Sequence, residues 1–465
     1  MRMRVGAAFA IALATGFIQA ASAAWSHTSL SKQVILGGAT SMFSLEAHAV
    51  PDKQEDRYVV YLSSEEHSRL SSISATAKAT GDSVDVQPRL MGPLNDVNIT
   101  MAYGLDIPPA LQGRELDISV SGRLVHASQP LPRAIRQGET QLLHWTGDAA
   151  VRTPYPSKQA TLSIKAPTAS IEAFGPGGAQ SDSLITYGPA RGKAHTAADH
   201  VPATFVHYQY PRSVITYVDL ERNVQVSHIG NIVSTQDDVW MRNDGALLNG
   251  FFSRSEYLIS KYLKNDAESA TMIDQVAYFL PADARDIYFV DTIGNVSSST
   301  VQPSTTGKTT RVNLQPRYPL LGGWNYTYSL GWNEDLNRMA RSVSLGRTIL
   351  EVPFISVTKN TAVDHARARI VLPEGAHNID VALPFDVDSV RIEHVSTYLD
   401  SVGRPAVVLE RSKCSSAHNL PVYIEYSLSP VDYLRKPIAV AVAVAALFSV
   451  VSVLRRVKLG VPSKR

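Results

Sequence analysis

The chain has 465 residues, with 44 lysines and arginines against 42 aspartates and glutamates and a formal charge of +2. Mixed signs at that balance leave no electrostatic footprint for nucleic acid or an acidic substrate. The single cysteine, Cys414, excludes an intrachain disulfide and a zinc site built from several thiolates, so hydrophobic cores must hold the folds and a buried free thiol is expected, with an intermolecular disulfide as the alternative.

Arg2 and Arg4, the apolar run Val5–Ile18 and the small residues Ala21-Ser22-Ala23 have the form of a secretory signal over 1–23, cleaved at or near Ala23. The run is too short for a retained anchor. Beyond it the pattern has period two, as in Leu116, Ile118 and Val120 and then Leu162 and Ile164, which predicts a first β domain over 24–174. Gly175 to Pro202 is rich in Gly, Pro, Ala and charge and reads as a linker, with a second β domain over 203–434.

In that second domain, helices are expected at Ser255–Leu263 and Leu336–Val343. Ile287 and Phe289 against Tyr288 and Val290 predict a strand that ends in a turn at Gly294-Asn295. A Gly322-Gly323 bend then leads into an aromatic strand with Trp324, Tyr326 and Tyr328 on one face, which places Trp324 in the core. Alternation returns at Ala366, Ala368, Ile370 and Leu372, and at Val422, Ile424, Tyr426 and Leu428. The fold class expected is mainly β: two antiparallel β-sandwich-like domains followed by one transmembrane helix. "ATLSIKAP" and "ARARIVLP" share a loose pattern that a duplicated sandwich would explain.

Ile438 to Leu454 carries no charge and as a helix spans about 26 Å, suited to the thinner reticulum membrane. The predicted span is 437–454. Arg455, Arg456, Lys458, Lys464 and Arg465 follow it and only Arg435 and Lys436 lie just before it, so the tail 455–465 is cytosolic by the positive-inside rule. A buried core helix is the alternative, which the bracketing charges disfavour. The bulk of the chain is then lumenal.

Catalytic signatures are incomplete. Gly81-Asp82-Ser83 is followed by Val84-Asp85 rather than a glycine pair, and Gly307-Lys308-Thr309 has Gln302 where a phosphate loop needs glycine; both read as turns. Asp386-Val387-Asp388 is a lone DxD without a nucleotide-binding domain. The 13 histidines include no HExxH, so no catalytic residue, cofactor or metal site is predicted.

"TPYPSKQATLSIKAP", "VQVSHIGNI", "LNGFFSRSEY", "ARDIYFVDTIGNVSSS", "QPRYPLLGGWNYTYSLGWN", "ARIVLPEGAHNI" and "STYLDSVGRPAVVL" follow one another in this order along the chain. Taken together they resemble the ribophorin I family, the non-catalytic subunit 1 of the oligosaccharyltransferase complex. The resemblance implies two β-rich lumenal domains and one span in the endoplasmic reticulum membrane. It also implies docking onto a multispanning catalytic subunit and other subunits, with nascent secretory polypeptides nearby and no nucleic acid. Animal members carry a long cytosolic helical domain after the span; the short tail here is similar to the fungal form. A single-pass cell-surface adhesion or binding protein fits the same composition and topology.

Three sequons, at Asn98, Asn295 and Asn325, are candidate N-glycosylation sites, with Asn295 favoured because it follows Gly294 in an exposed turn. In the predicted span Ala439/Ala443 and Ala441/Ala445 stack at i, i+4 and form a strip of small side chains where another helix can pack closely.

Overall fold

The computed structural model describes residues 2–3, 25–52, 56–79, 82–93, 100–190, 201–263, 271–303, 309–344, 346–396, 400 and 403–456. The predicted signal, except Arg2 and Met3, and the tail beyond Arg456 lie outside them. Two β bodies are followed by a C-terminal helix.

In each body a large sheet is covered by two smaller ones. The first large sheet runs, in spatial order, Gly178–Ser181, Leu184–Ala190, Ala160–Lys165, Trp25–Ile35, Thr40–Pro51, Leu116–Val125, Leu70–Ala79 and Asp82–Val86. The second runs Ser389–Val395, Arg404–Cys414, Ala362–Val371, Ile215–Ser227, Ile232–Asn243, Asn325–Asp335 and Arg285–Asp291. Apart from the last strand of the first, the two orders correspond strand for strand.

The smaller sheets correspond too. Arg57–Ser63, Thr100–Asp106 and Arg89–Pro93 match Val276–Pro281, Thr309–Leu314 and Thr300–Pro303. Ser128–Pro130, Leu142–Asp148, Ala203–Gln209 and Ile171–Phe174 match Ala340–Ser344, Arg347–Pro353, Pro421–Ser427 and His377–Ala382. The shared sequence pattern is thus one sign of a repeated topology.

The large sheets are not wholly antiparallel. Ala160–Lys165 pairs parallel with Trp25–Ile35, and Ala362–Val371 pairs parallel with Ile215–Ser227. These are the "ATLSIKAP" and "ARARIVLP" strands. Each returns to lie beside the first strand of its body, after the intervening strands have covered the sheet.

The predicted alternation faces the cores. Leu116, Ile118, Val120, Leu162 and Ile164 are buried in the first, and Ala366, Ala368, Ile370, Leu372, Val422, Ile424, Tyr426 and Leu428 in the second. The described part of Gly175 to Pro202 is largely strand. It contributes Gly178–Ser181 and Leu184–Ala190 to the first large sheet, while 191–200 lie outside the described residues. Ala203–Gln209 still pairs within the first body, and Val206, Tyr208, Tyr210 and Val214 belong to its core; the second core begins at Tyr217.

Helix Arg254–Leu263 forms as expected. Leu336–Val343 does not: one turn, Leu336–Met339, is capped by Asp335, whose side chain accepts from Asn337 N at 3.1 Å. The chain then becomes strand Ala340–Ser344, because Arg347–Pro353 supplies a pairing partner. Cys414 is fully buried, and burial pushes its thiol up to about 12.

The first body sits on one end of the second. Ser71 donates to Ser415 at 2.9 Å, Arg411 to the Ser71 carbonyl at 3.0 Å, and Thr40 to the Lys359 carbonyl at 3.1 Å. His126 Nε2 lies 2.6 Å from Asp364 Oδ1. The C-terminal helix, Pro430–Arg456, leaves from the opposite end. There Lys436 pairs with Asp400 at 2.8 Å, and Asp432 accepts from the Ser429 amide at 2.9 Å.

Candidate functional site

The central strands of the second large sheet bury one face and leave the other open, so outward residues can be read there at every second position. On Ile215–Ser227 and Ile232–Asn243 these are Asp219, Glu221, Asn223 and Gln225, then Ser234, Gln236, Asp238 and Trp240. Thr327, Ser329 and Asn333 continue the surface on one side, and His365, Arg367, Arg369 and Glu410 on the other. Two open hollows lie on this face, of about 590 Å³ around Asp238, Trp240 and Arg367 and about 390 Å³ around Gln236, Tyr288 and Arg369.

Side-chain hydrogen bonds hold the face in shape. Asp238 accepts from Gln236 at 2.8 Å, Ser329 at 2.5 Å and Asn223 at 3.3 Å. Tyr288 lies across Gly331, where a Cβ would strike its ring, and donates to Gln236 at 2.7 Å. Glu410 accepts from Ser389 at 2.9 Å and pairs with Arg391 at 2.5 Å and Arg367 at 3.0 Å; the Ser389 hydrogen bond, then the two guanidinium groups, hold its carboxyl below the usual range. Amides, hydroxyls, paired charges and two half-exposed rings make a surface suited to an extended polar polymer. No group of three metal-ligating side chains occurs among the described residues.

The two halves of the signature block are joined at Asp291. Its carboxylate accepts from Arg317 at 2.5 Å, Tyr326 OH at 2.9 Å and the amides of Ile293 and Gly294 at 2.9 and 3.0 Å. Arg317, then the other donors, hold its pKa down to about 2. Arg317 also reaches the Gly294 and Asn295 carbonyls. This clasp explains why the block reads as one unit although a polar stretch divides it.

The predicted site residues fall in separate places. Asn98 lies outside the described residues. Asn295 is exposed in the turn after Gly294, whose φ is 140°, and Asn325 is exposed at the start of its strand. Both sit at the end of the second body away from the C-terminal helix. Ala439, Ala441, Ala443 and Ala445 are exposed on that helix, within Leu434–Arg456, which is long and apolar enough to cross a membrane. Of the incomplete motifs, Asp388 accepts from the Ser412 amide and hydroxyl at 2.7 and 2.8 Å, a strand-end contact, and Ser83 lies on strand Asp82–Val86; Gly81, Gly307 and Lys308 lie outside the described residues.

Trp324 corrects the core expectation. It is 39 % exposed, against 5 % and 3 % for Tyr326 and Tyr328, because the Gly322-Gly323 bend ends one residue before the strand begins. Its ring meets Tyr318 and Phe252 with centroids 6.1 and 6.4 Å apart, in a surface cluster with the fully exposed Phe251 beside it in sequence.

The buried ion pair Arg222–Asp237 was not anticipated. Both side chains are 1 % exposed, joined by two hydrogen bonds of 2.7 Å, with Trp332 stacked at 5.7 Å. The signal was present in the period-two phase: Arg222 falls in step with Leu220, Val224 and Val226, and Asp237 with Val233, Val239 and Met241.

A family model described as Ribophorin I matches residues 25–455. The chain is 30 % identical over 345 residues to dolichyl-diphosphooligosaccharide–protein glycosyltransferase subunit 1B of Arabidopsis thaliana, covering 74 % of this chain and 72 % of that one. It is 27 % identical over 429 residues to subunit 1 of the same name from Caenorhabditis elegans, covering 91 % of this chain and 70 % of that one. Native yeast LTA4 hydrolase overlays on 40 % of this chain and 29 % of its own with a TM-score of 0.26 and 8 % identity, too little to carry an argument. The match spans both bodies and the C-terminal helix, and the chain belongs to the Ribophorin I family.

Proposed function

We propose that this chain is a non-catalytic subunit of an oligosaccharyltransferase, the complex that moves a preassembled glycan from a dolichol-linked donor to the Asn of N-x-S/T sequons in the endoplasmic reticulum. The observation that carries this reading is the family match over residues 25–455, supported by relatives named as subunit 1 of that transferase. A cell-surface adhesion protein would share the topology but draws no support from that match.

The chain crosses the membrane once, with two lumenal domains over 25–214 and 215–428 and a cytosolic C-terminus. Arg455 and Arg456 at the end of the helix favour this orientation. The small residues Ala439, Ala441, Ala443 and Ala445 pack against a helix of a multispanning catalytic subunit. Glycan transfer belongs to that partner, since one helix cannot enclose an isoprenoid donor. The polar face of the second large sheet supports contact with nascent polypeptide, because amide and hydroxyl groups can meet an extended backbone without reading its sequence. Asn295 and Asn325 are the described sequons available for modification.

Affinity purification of the tagged full chain in mild detergent tests the proposal. The complex should carry transferase activity, and the chain stripped of its partners should have none. Activity in the isolated chain, or purification without a multispanning transferase subunit, would overturn it.

A further inference from the structure

The end of the second body from which the C-terminal helix departs has its own surface chemistry. Ile215–Ser227 and Ile232–Asn243 are joined there by the tip His228-Ile229-Gly230-Asn231, part of the "VQVSHIGNI" motif. Ile229 is 68 % exposed. His228 Nε2 lies 2.7 Å from Tyr426 OH, which ties the tip to the strand that leads into the helix. Ile229, His228, Asp432 and Lys436 line one cleft of about 250 Å³, so the tip is level with the first turns of the helix.

A second hairpin reaches the same level. The Leu428 amide donates to the Gly346 carbonyl at 2.7 Å, placing the tip of Ala340–Ser344 and Arg347–Pro353 beside the residues just before the helix. Val343 near this tip is 58 % exposed, with Arg341 exposed two positions earlier. Two β-branched side chains on neighbouring hairpins therefore flank the helix where it leaves the body. Apolar tips with adjacent arginine and lysine have the composition of a membrane–water interface.

A second exposed apolar cluster, around Phe251 and Trp324, faces elsewhere. It lies past Asn243, at the far end of a strand whose 12 residues span about 40 Å. The bilayer that receives the helix is thus beside Ile229 and Val343 and out of reach of Phe251. At the base of the helix Lys436 pairs with Asp400 at 2.8 Å, which joins the helix to the body and holds the body at a set height above the bilayer.

We propose that the Ile229 and Val343 hairpin tips dip into the lipid interface around the C-terminal helix, so that the second body stands on the membrane as well as being tethered to it. This rests on the reading that the helix spans a bilayer. The occupant is lipid, not a partner subunit.

Environment-sensitive labelling tests it on the full chain in phosphatidylcholine nanodiscs. Cys414 is buried, so a fluorophore can be placed selectively in Ile229→Cys, Val343→Cys, Asn325→Cys or Ala443→Cys. These positions are all exposed, so folding should be retained, which a thermal melt checks. Lipids carrying nitroxide near the headgroup should quench most of the emission at 229 and 343, and lipids with deep nitroxide most of that at 443. Neither should quench 325. Quenching at 443 with 229 and 343 behaving like 325 would overturn the proposal while leaving the span intact. Absence of quenching at 443 would remove the span and the proposal together. Labels at 229 and 343 that are shielded only in the assembled complex would assign the tips to a protein partner and overturn the lipid assignment.

Discussion

Arg222→Met is the sharpest test of how the second body is held together. It keeps most of the side-chain volume but removes both 2.7 Å hydrogen bonds to Asp237, and those at 3.0 and 3.1 Å to the Pro353 carbonyl and Ser356. Asp237, itself fully buried, is left as a charge without its counterion. Breaking such a pair by removing one partner costs about 3–5 kcal/mol. For a body of this size that lowers the melting temperature by roughly 6–20 °C. The double variant Arg222→Met/Asp237→Leu should recover most of the loss, because two apolar residues need no compensation. Thermal melts of the four combinations give the coupling. Hydrogen exchange should localise the lost protection to Ile215–Ser227 and Ile232–Asn243 before the first body is affected. If Arg222→Met costs under about 1 kcal/mol, or if the double variant is as unstable as the two single losses added, the pair is not the buried unit described.

Acid should weaken the first body. His27, buried against Ser157 at 2.9 Å and Tyr58 at 2.8 Å, has its pKa pushed down by burial to about 4. It is neutral in the fold while the unfolded chain takes a proton near 6.5, so its contribution is complete above pH 6.5 and falls by roughly 3 kcal/mol as the pH approaches 4. His27→Gln should shrink the drop in melting temperature between pH 7 and 4.5, and an equal drop in both proteins would contradict this. Trp324→Ala should cost about 1–2 kcal/mol, while Trp332→Ala should cost about 3–5, and melts that rank them the other way would return Trp324 to the core. Endoglycosidase should shift the mobility of the mature protein and Asn295→Gln should reduce that shift; unchanged mobility would weaken the lumenal assignment. Leucine at Ala439, Ala441, Ala443 and Ala445 should preserve membrane insertion and glycosylation while reducing co-purification with the other transferase subunits, and unchanged co-purification would leave the lumenal bodies as the whole attachment.

Most inward-facing strand positions, and the helix apolar enough to cross a bilayer, are legible in the chain without its fold. Period-two patterning at Leu116–Val120 and Ala366–Leu372 is a local consequence of the pleat, so it is legible without knowing what the strand pairs with. The same logic made Arg222 and Asp237 detectable as charges in core phase. The strand pairings are set only in the folded chain. That Ala160–Lys165 and Ala362–Val371 return parallel to the first strand of their bodies depends on contacts across more than a hundred positions, which no local window contains. The Gly- and Pro-rich composition of Gly175–Pro202 reports turns, and a turn between two paired strands looks the same in sequence as a connection between domains. Trp324 was misplaced for a similar reason: alternation puts it in phase with Tyr326 and Tyr328, but burial requires a sheet on both sides of that position, and its strand begins one residue later. The clasp at Asp291 likewise exists only once the turn at Gly294 and the strand of Tyr326 are folded against each other, because hydrogen bonds between distant segments form where backbone geometry brings their donors within reach.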